Sequence, residues 1–161
     1  MKTLYVLRHG QAAPESEAST DHDRELTRRG QAEVQRAALS LAERASLPSL
    51  ILSSSAARAR HSAELCRTAY AQGAELGIIA DLYLAGPESY LAALVARGQA
   101  HGVALVVGHN PGLELLVRQL TDRSEHLATA SLVEIELPIE AWSELSGAPA
   151  GSGRLVHTFR A

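Results

Sequence analysis

Thr3-Leu4-Tyr5-Val6-Leu7 runs without a spacer into Arg8-His9-Gly10. The first five residues are apolar and rich in β-formers, so the run predicts a buried strand. The next three place two basic side chains at its carboxyl end. The arrangement recurs. Leu50-Ile51-Leu52 opens into Ser53-Ser54-Ser55, with Arg58 shortly after, and Val103 to Val107 ends at Gly108-His109-Asn110-Pro111.

Between these strands the apolar spacing is helical. Gln11 to Asp23 is polar, aperiodic and contains Pro14, and reads as a loop; Gln11 itself reads as a polar loop residue. Thr27 is predicted to cap a helix reaching about Ala45, with Val34, Ala38, Leu41 and Ala45 on one face. A second helix is expected from about Ala56 to Tyr70, and a third strand at Ile78 to Ala80. Pro87 suits the first turn of a helix through Arg97, closed by Gly98. Asn110 is expected to cap, and Pro111 to begin, a helix to about Thr121. Ser131 to Leu137 alternates and predicts a more exposed strand. Trp142 reads as a packing residue in a loop or short turn, and Gly151-Ser152-Gly153 leads into a last strand, Arg154 to Phe159. With no linker or repeat, the alternation predicts a single α/β layered domain over residues 1–161.

Composition narrows the classes. Of 161 residues, 46% are apolar and 20% charged, enough for a packed core. A net charge of -3 without a basic tract argues against nucleic acid. Fourteen of the fifteen basic residues are arginine, a bias that suits bidentate anion binding. The single cysteine, Cys66, excludes an internal disulfide and a Cys-based metal knuckle, and reads as a small buried thiol. Met1 to Leu7 is too short for a signal h-region and no stretch approaches the ~20 apolar residues of a membrane span, so a soluble cytoplasmic protein is expected, with no membrane partner.

In an open α/β sheet, ligands bind beyond the carboxyl ends of the strands. Three such ends would bring Arg8, His9, Arg58 and His109 together. That set suits a phosphoryl group. Guanidinium forks match phosphate oxygens, neutral imidazole is a competent nucleophile toward phosphorus, and two arginines neutralise charge on the transferring oxygens. Backbone N–H groups at the helix opening near Asn110 would add to the anion site.

Leu7-Arg8-His9-Gly10 resembles the first motif of the histidine phosphatase superfamily, the phosphoglycerate mutase-like fold. Ser54-Ser55-Ala56-Ala57-Arg58-Ala59 and Val107-Gly108-His109-Asn110 resemble its second and third, and Leu26-Thr27-Arg28-Arg29-Gly30 a pattern common after its first loop. The order is the family's and the likeness covers nearly the whole chain. It implies a three-layer α/β/α domain with a mostly parallel central sheet, and a phosphatase that needs no metal or cofactor. It further implies His9 as nucleophile and Arg8, Arg58 and His109 as phosphoryl ligands, His109 also stabilising the transition state, with Asn110 beside them. The short chain most resembles SixA-type enzymes, which take phosphate from phosphohistidine on signalling or phosphotransfer proteins.

One feature departs from the wider family. Members acting on sugar phosphates carry a glutamate general acid after the second motif. Here the nearby carboxylates are Asp81 and Glu88, and Glu88 is the candidate acid. An alkoxide needs a proton donor, whereas a phosphorylated imidazole leaves once its other ring nitrogen is protonated. A phosphomonoesterase acting on a sugar phosphate or nucleotide, and a non-catalytic phosphate-binding relative, are the alternatives. A metallohydrolase built on His9 and His109 is disfavoured by the crowding arginines. His22, His61, His101, His126 and His157 read as surface residues, as does Arg60.

Overall fold

The run at Thr3 to Leu7 forms β1 (Lys2–Arg8) in a computed structural model that describes residues 1–70 and 73–161. The chain continues through α1 (Arg28–Ala42), β2 (Leu50–Ser54), α2 (Ala57–Tyr70), β3 (Glu75–Ile79) and α3 (Pro87–Arg97). It ends with β4 (Val103–Gly108), α4 (Gly112–Thr121), β5 (Leu132–Leu137) and β6 (Arg154–Phe159). The strands form one sheet in the order β3-β2-β4-β1-β5-β6. Neighbours from β3 to β1 pair in parallel, and β5 runs antiparallel to both β1 and β6. β2, β4 and β1 are therefore adjacent and point the same way, so the three segments that follow them emerge at one edge.

The pleat divides the core between two helical layers. Leu4 and Val6 of β1 face α3 and α4 with Tyr90, Leu94, Leu113 and Val117, while Tyr5 and Leu7 face α1 and α2 with Val34, Leu41, Ala59 and Ala63. Each fully buried aliphatic side chain contributes about 1.5–3 kcal/mol. The fold is thus a three-layer α/β/α sandwich with a mostly parallel sheet. The α2 face is built of small residues, which brings the helix close to the sheet and leaves Cys66 fully buried, its thiol pushed up to about 12. Trp142 is also fully buried, in a 3-10 turn at Trp142–Ser146, and its Nε1–H donates to His101 O at 2.8 Å.

Two local choices shape the first loop. Thr27 caps α1, its Oγ1 accepting from Gly30 N at 3.0 Å. Gly10 and Gly30 lie back to back; a Cβ on Gly10 would meet Gly30 O and Val34, and one on Gly30 would meet the backbone of Gln11. Both glycines are needed for the chain leaving β1 to pass over the start of α1.

Three expectations need correction. β3 begins at Glu75 rather than Ile78, because this edge strand is held by main-chain pairing to β2 and needs no apolar run. β5 is not exposed: it lies between β1 and β6, and its Glu134 is buried against Arg44, Nε to Oε2 at 2.7 Å. Asn110 does not cap α4. The helix starts at Gly112 after a cis Asn110–Pro111 bond, and no side chain caps it. Among the described residues no helix is long and apolar enough to cross a membrane.

Candidate active site

At the carboxyl edge of β1, β2 and β4 the four basic residues do converge. His9, at the end of β1, is 8% exposed, and its ring lies 5.2 Å from that of His109, which follows β4 and is 2% exposed. Arg58, in the first turn of α2, is 3% exposed and donates from Nε to His9 Nε2 at 3.3 Å. Arg8 lies beside them, its Nη1 donating to Leu127 O at 2.9 Å.

The hydrogen bond to a carbonyl fixes the proton on His9. His9 Nδ1 lies 2.7 Å from Gly10 O, and a carbonyl only accepts, so the proton sits on Nδ1. Nε2 keeps its lone pair and faces Arg58. His109 Nε2 lies 2.7 Å from Ser54 Oγ, which itself accepts from Ala56 N. When Ser54 donates its own proton to Nε2, the ring proton sits on Nδ1, the tautomer that offers a donor to an anion. His109 Nδ1 and Arg8 Nε are both buried without a partner among the described residues. Orphaned buried polar atoms are rare and costly. Two of them beside two arginines describe a site shaped for an anion.

Burial dominates the titration of both imidazoles. It lowers His9 to about 4 and His109 to about 3, with the neighbouring arginines pushing the same way and His9 further disfavouring charge on His109. Both rings are neutral at pH 7, which keeps Nε2 of His9 nucleophilic. The unfolded chain restores ordinary values near 6.5 and so binds more protons between about pH 6.5 and 4. This part of the stability is fully present above about pH 6.5 and is lost as pH falls toward 4. Thermal melts should show a Tm that declines over that interval, less steeply in a His9→Asn/His109→Asn double variant; equal slopes would contradict the burial argument.

Nothing in the sequence pattern points to Asp21. It lies in a 3-10 turn, Asp21–Asp23, within the loop that follows β1. Arg58 Nη1 donates to Asp21 O at 2.7 Å and Nη2 to Asp21 Oδ2 at 3.1 Å. The same Oδ2 accepts from Tyr83 Oη at 2.5 Å, and Oδ1 accepts from Arg24 Nη1 at 2.9 Å. Tyr83, Arg24 and Arg58 together hold the Asp21 carboxyl well below the usual carboxylate range, and Asp21 in turn raises the Tyr83 hydroxyl. Asp21 thus locks the guanidinium in the plane that aims Nε at His9. No motif signals this, because the loop lacks periodicity and Arg58 is 37 residues away.

Other expected residues lie elsewhere. Glu88 is exposed in the first turn of α3 and Asp81 is exposed in the preceding 3-10 turn; among the described residues neither bonds to the cluster. Asn110 is adjacent, but its Nδ2 is engaged by Leu127 O at 2.8 Å and Glu114 Oε1 at 2.9 Å. Leu127 O also takes Arg8, so Asn110 and Glu114 hold the loop that orients Arg8 rather than offering donors of their own. Gln11 Oε1 accepts from Thr27 at 2.9 Å. His22 is not a plain surface residue: it sits at the mouth, Nε2 2.9 Å from Ser55 Oγ and its ring edge-on to Tyr83. Among the described residues no group of three His, Cys, Asp or Glu side chains is placed to hold a metal ion.

A fold of this kind with this cluster defines a phosphatase of the phosphoglycerate mutase-like class. Residues 4–82 match the model of the histidine phosphatase superfamily (branch 1). A solved structure from Agrobacterium tumefaciens, assigned as the phosphohistidine phosphatase SixA, is 28% identical with a TM-score of 0.82, over 99% of this chain and 98% of that one. One from Nakamurella multipartitia with the same assignment is 26% identical with a TM-score of 0.83, over 99% and 95%. The protein histidine phosphatase SixA complexed with tungstate shares the fold at 22% identity and a TM-score of 0.79, over 98% and 96%. No curated protein matches the chain in sequence.

Proposed function

We propose that residues 1–161 act as one domain that removes phosphate from phosphohistidine on signalling or phosphotransfer proteins, through a phosphorylated His9. The observation that carries the substrate choice is the state of the one carboxylate bonded to the cluster among the described residues. Asp21 is held ionised and its oxygens are taken by Tyr83, Arg24 and Arg58. It has no proton to give an alkoxide. A phosphorylated imidazole needs none, because protonation of its other ring nitrogen already makes it a neutral leaving group.

In the first step the Nε2 lone pair of His9 forms a bond to phosphorus while the bond from phosphorus to the substrate nitrogen breaks, and that nitrogen keeps the electron pair. Arg8, Arg58 and the Nδ1–H of His109 stabilise charge on the three transferring oxygens. Arg58 Nε gives up its contact with His9 Nε2 as phosphorus arrives. In the second step water attacks phosphorus, the bond to Nε2 breaks, and orthophosphate leaves with the oxygen of that water. The hydrogen bond from Nδ1–H to Gly10 O serves both steps: it orients the ring and keeps the phosphorylated form protonated opposite the phosphorus, as a good leaving group must be.

The test compares a phosphohistidine-bearing phosphotransfer protein with a panel of sugar phosphates, nucleotides and aryl phosphates. Phosphohistidine should be favoured over alkyl esters by at least about 10²-fold in kcat/KM, the usual worth of a missing general acid. Turnover should resist EDTA and be inhibited by vanadate. Glu88→Gln should leave phosphohistidine cleavage unaltered. Preference for an alkyl ester, together with its loss in Glu88→Gln, would replace this reading with that of a small-molecule phosphomonoesterase.

A further inference from the structure

Holding the phosphoryl group does not account for His22 and Tyr83. The Tyr83 ring lies edge-on to His109, centroids 5.7 Å apart at 84°, and the His22 ring lies edge-on to Tyr83, 4.9 Å apart at 80°. His109 is buried, Tyr83 is partly buried, and the His22 side chain is 41% exposed. The three rings therefore form a stepped line from the floor of the site to solvent. Both outer rings are fastened. Tyr83 is held through its hydroxyl to Asp21, and His22 through Nε2 to Ser55 Oγ. Directly after Tyr83 the chain turns back at Leu84, a non-glycine residue with φ 49° and 59% exposed. A left-handed residue of this kind persists only where the surroundings impose it, and such outliers gather at functional sites.

We infer that His22 and Tyr83 form a seat for a flat, ring-shaped leaving group, the imidazole of an N-phosphorylated histidine, an assignment that rests on the proposed phosphohistidine activity. In-line transfer sends the leaving group away from His9. The aromatic line runs from His109 outward, along the path a departing ring would follow. A planar heteroaromatic ring makes offset or edge-to-face contacts with both walls. Ammonia or an aliphatic alkoxide makes neither. The seat takes no part in the bond changes: phosphorus passes to Nε2 of His9 and the ring departs neutral with its electron pair, as above.

Phosphoimidazole and phosphoramidate isolate this effect, since both break a phosphorus–nitrogen bond and only the first releases a ring. The readout is the ratio of their kcat/KM values. His22→Ala and Tyr83→Leu should each lower the ratio by roughly tenfold, the size of one aromatic contact. His22→Phe and Tyr83→Phe, which keep a ring, should retain it. Tyr83→Phe also removes the bond to Asp21, so an equal loss on both substrates there reports on Arg58 and not on the seat. An unaltered ratio in His22→Ala and Tyr83→Leu, or a ratio that falls as far in the Phe variants as in those two, overturns the seat while leaving His9 as nucleophile. A wild-type protein inactive on both compounds sinks the seat and the phosphohistidine reading together.

Discussion

His9→Ala is expected to lower turnover by at least about 10⁴-fold, the scale on which enzymes respond to loss of a covalent nucleophile. The other three residues remain, so substrate can still be held by Arg8, Arg58 and His109, and the loss should fall on kcat more than on KM. The fold should survive. The side chain is packed at the edge of the sheet rather than within either hydrophobic layer, and among the described residues its ring bonds to the carbonyl of Gly10 and, at 3.3 Å, to Arg58 Nε. Circular dichroism and the melting transition should stay near wild type. A wild-type protein mixed briefly with labelled phosphohistidine substrate should carry an acid-labile label that His9→Ala lacks. If the variant keeps more than about a hundredth of wild-type turnover, the nucleophile lies elsewhere. His109, with its own neutral ring 5.2 Å away, would be the first residue to examine.

What could be read from the sequence divides along a physical line. Strand ends were legible because β-formers stop at a sharp polar boundary, as at Leu7-Arg8 and Val107-Gly108, and parallel strands deliver their carboxyl ends to one edge whatever the details of pairing. Thr27, Pro87 and Gly98 were legible because capping is local. Glu134 was misread for the opposite reason. Its burial depends on Arg44, 90 residues away, and an alternating pattern with glutamates looks solvated when the partner is unseen. Asp21, His22 and Tyr83 escaped for the same reason: two irregular segments, one after β1 and one after β3, meet only in the folded chain. Asn110 was read as a local cap, yet its amide serves the segment near Leu127.

Arg58→Ala should lower kcat/KM by about 10³-fold, the upper range for removal of one preorganised charged donor. More than the missing guanidinium is at work. Arg58 is what makes the Asp21 carboxylate tolerable beside an anion site, because Asp21 stays ionised through Tyr83 and Arg24 even when Arg58 is gone. The variant then leaves near an incoming phosphoryl group a negative charge that Arg24 alone balances. Asp21→Ala alone removes the side-chain bond to Arg58 Nη2 and leaves only the main-chain one to orient the guanidinium; it should lower kcat/KM by roughly 10- to 10²-fold, with Asp21→Asn closer to wild type because one amide oxygen remains to accept from Nη2. The decisive measurement is the double variant. If Asp21 acts through Arg58, Arg58→Ala/Asp21→Ala is no worse than Arg58→Ala, and better at low ionic strength, where the stranded carboxylate repels most strongly. Losses that simply multiply would show that Asp21 serves the reaction by a separate route, and the clamp on Arg58 would then be a structural contact without a share in catalysis.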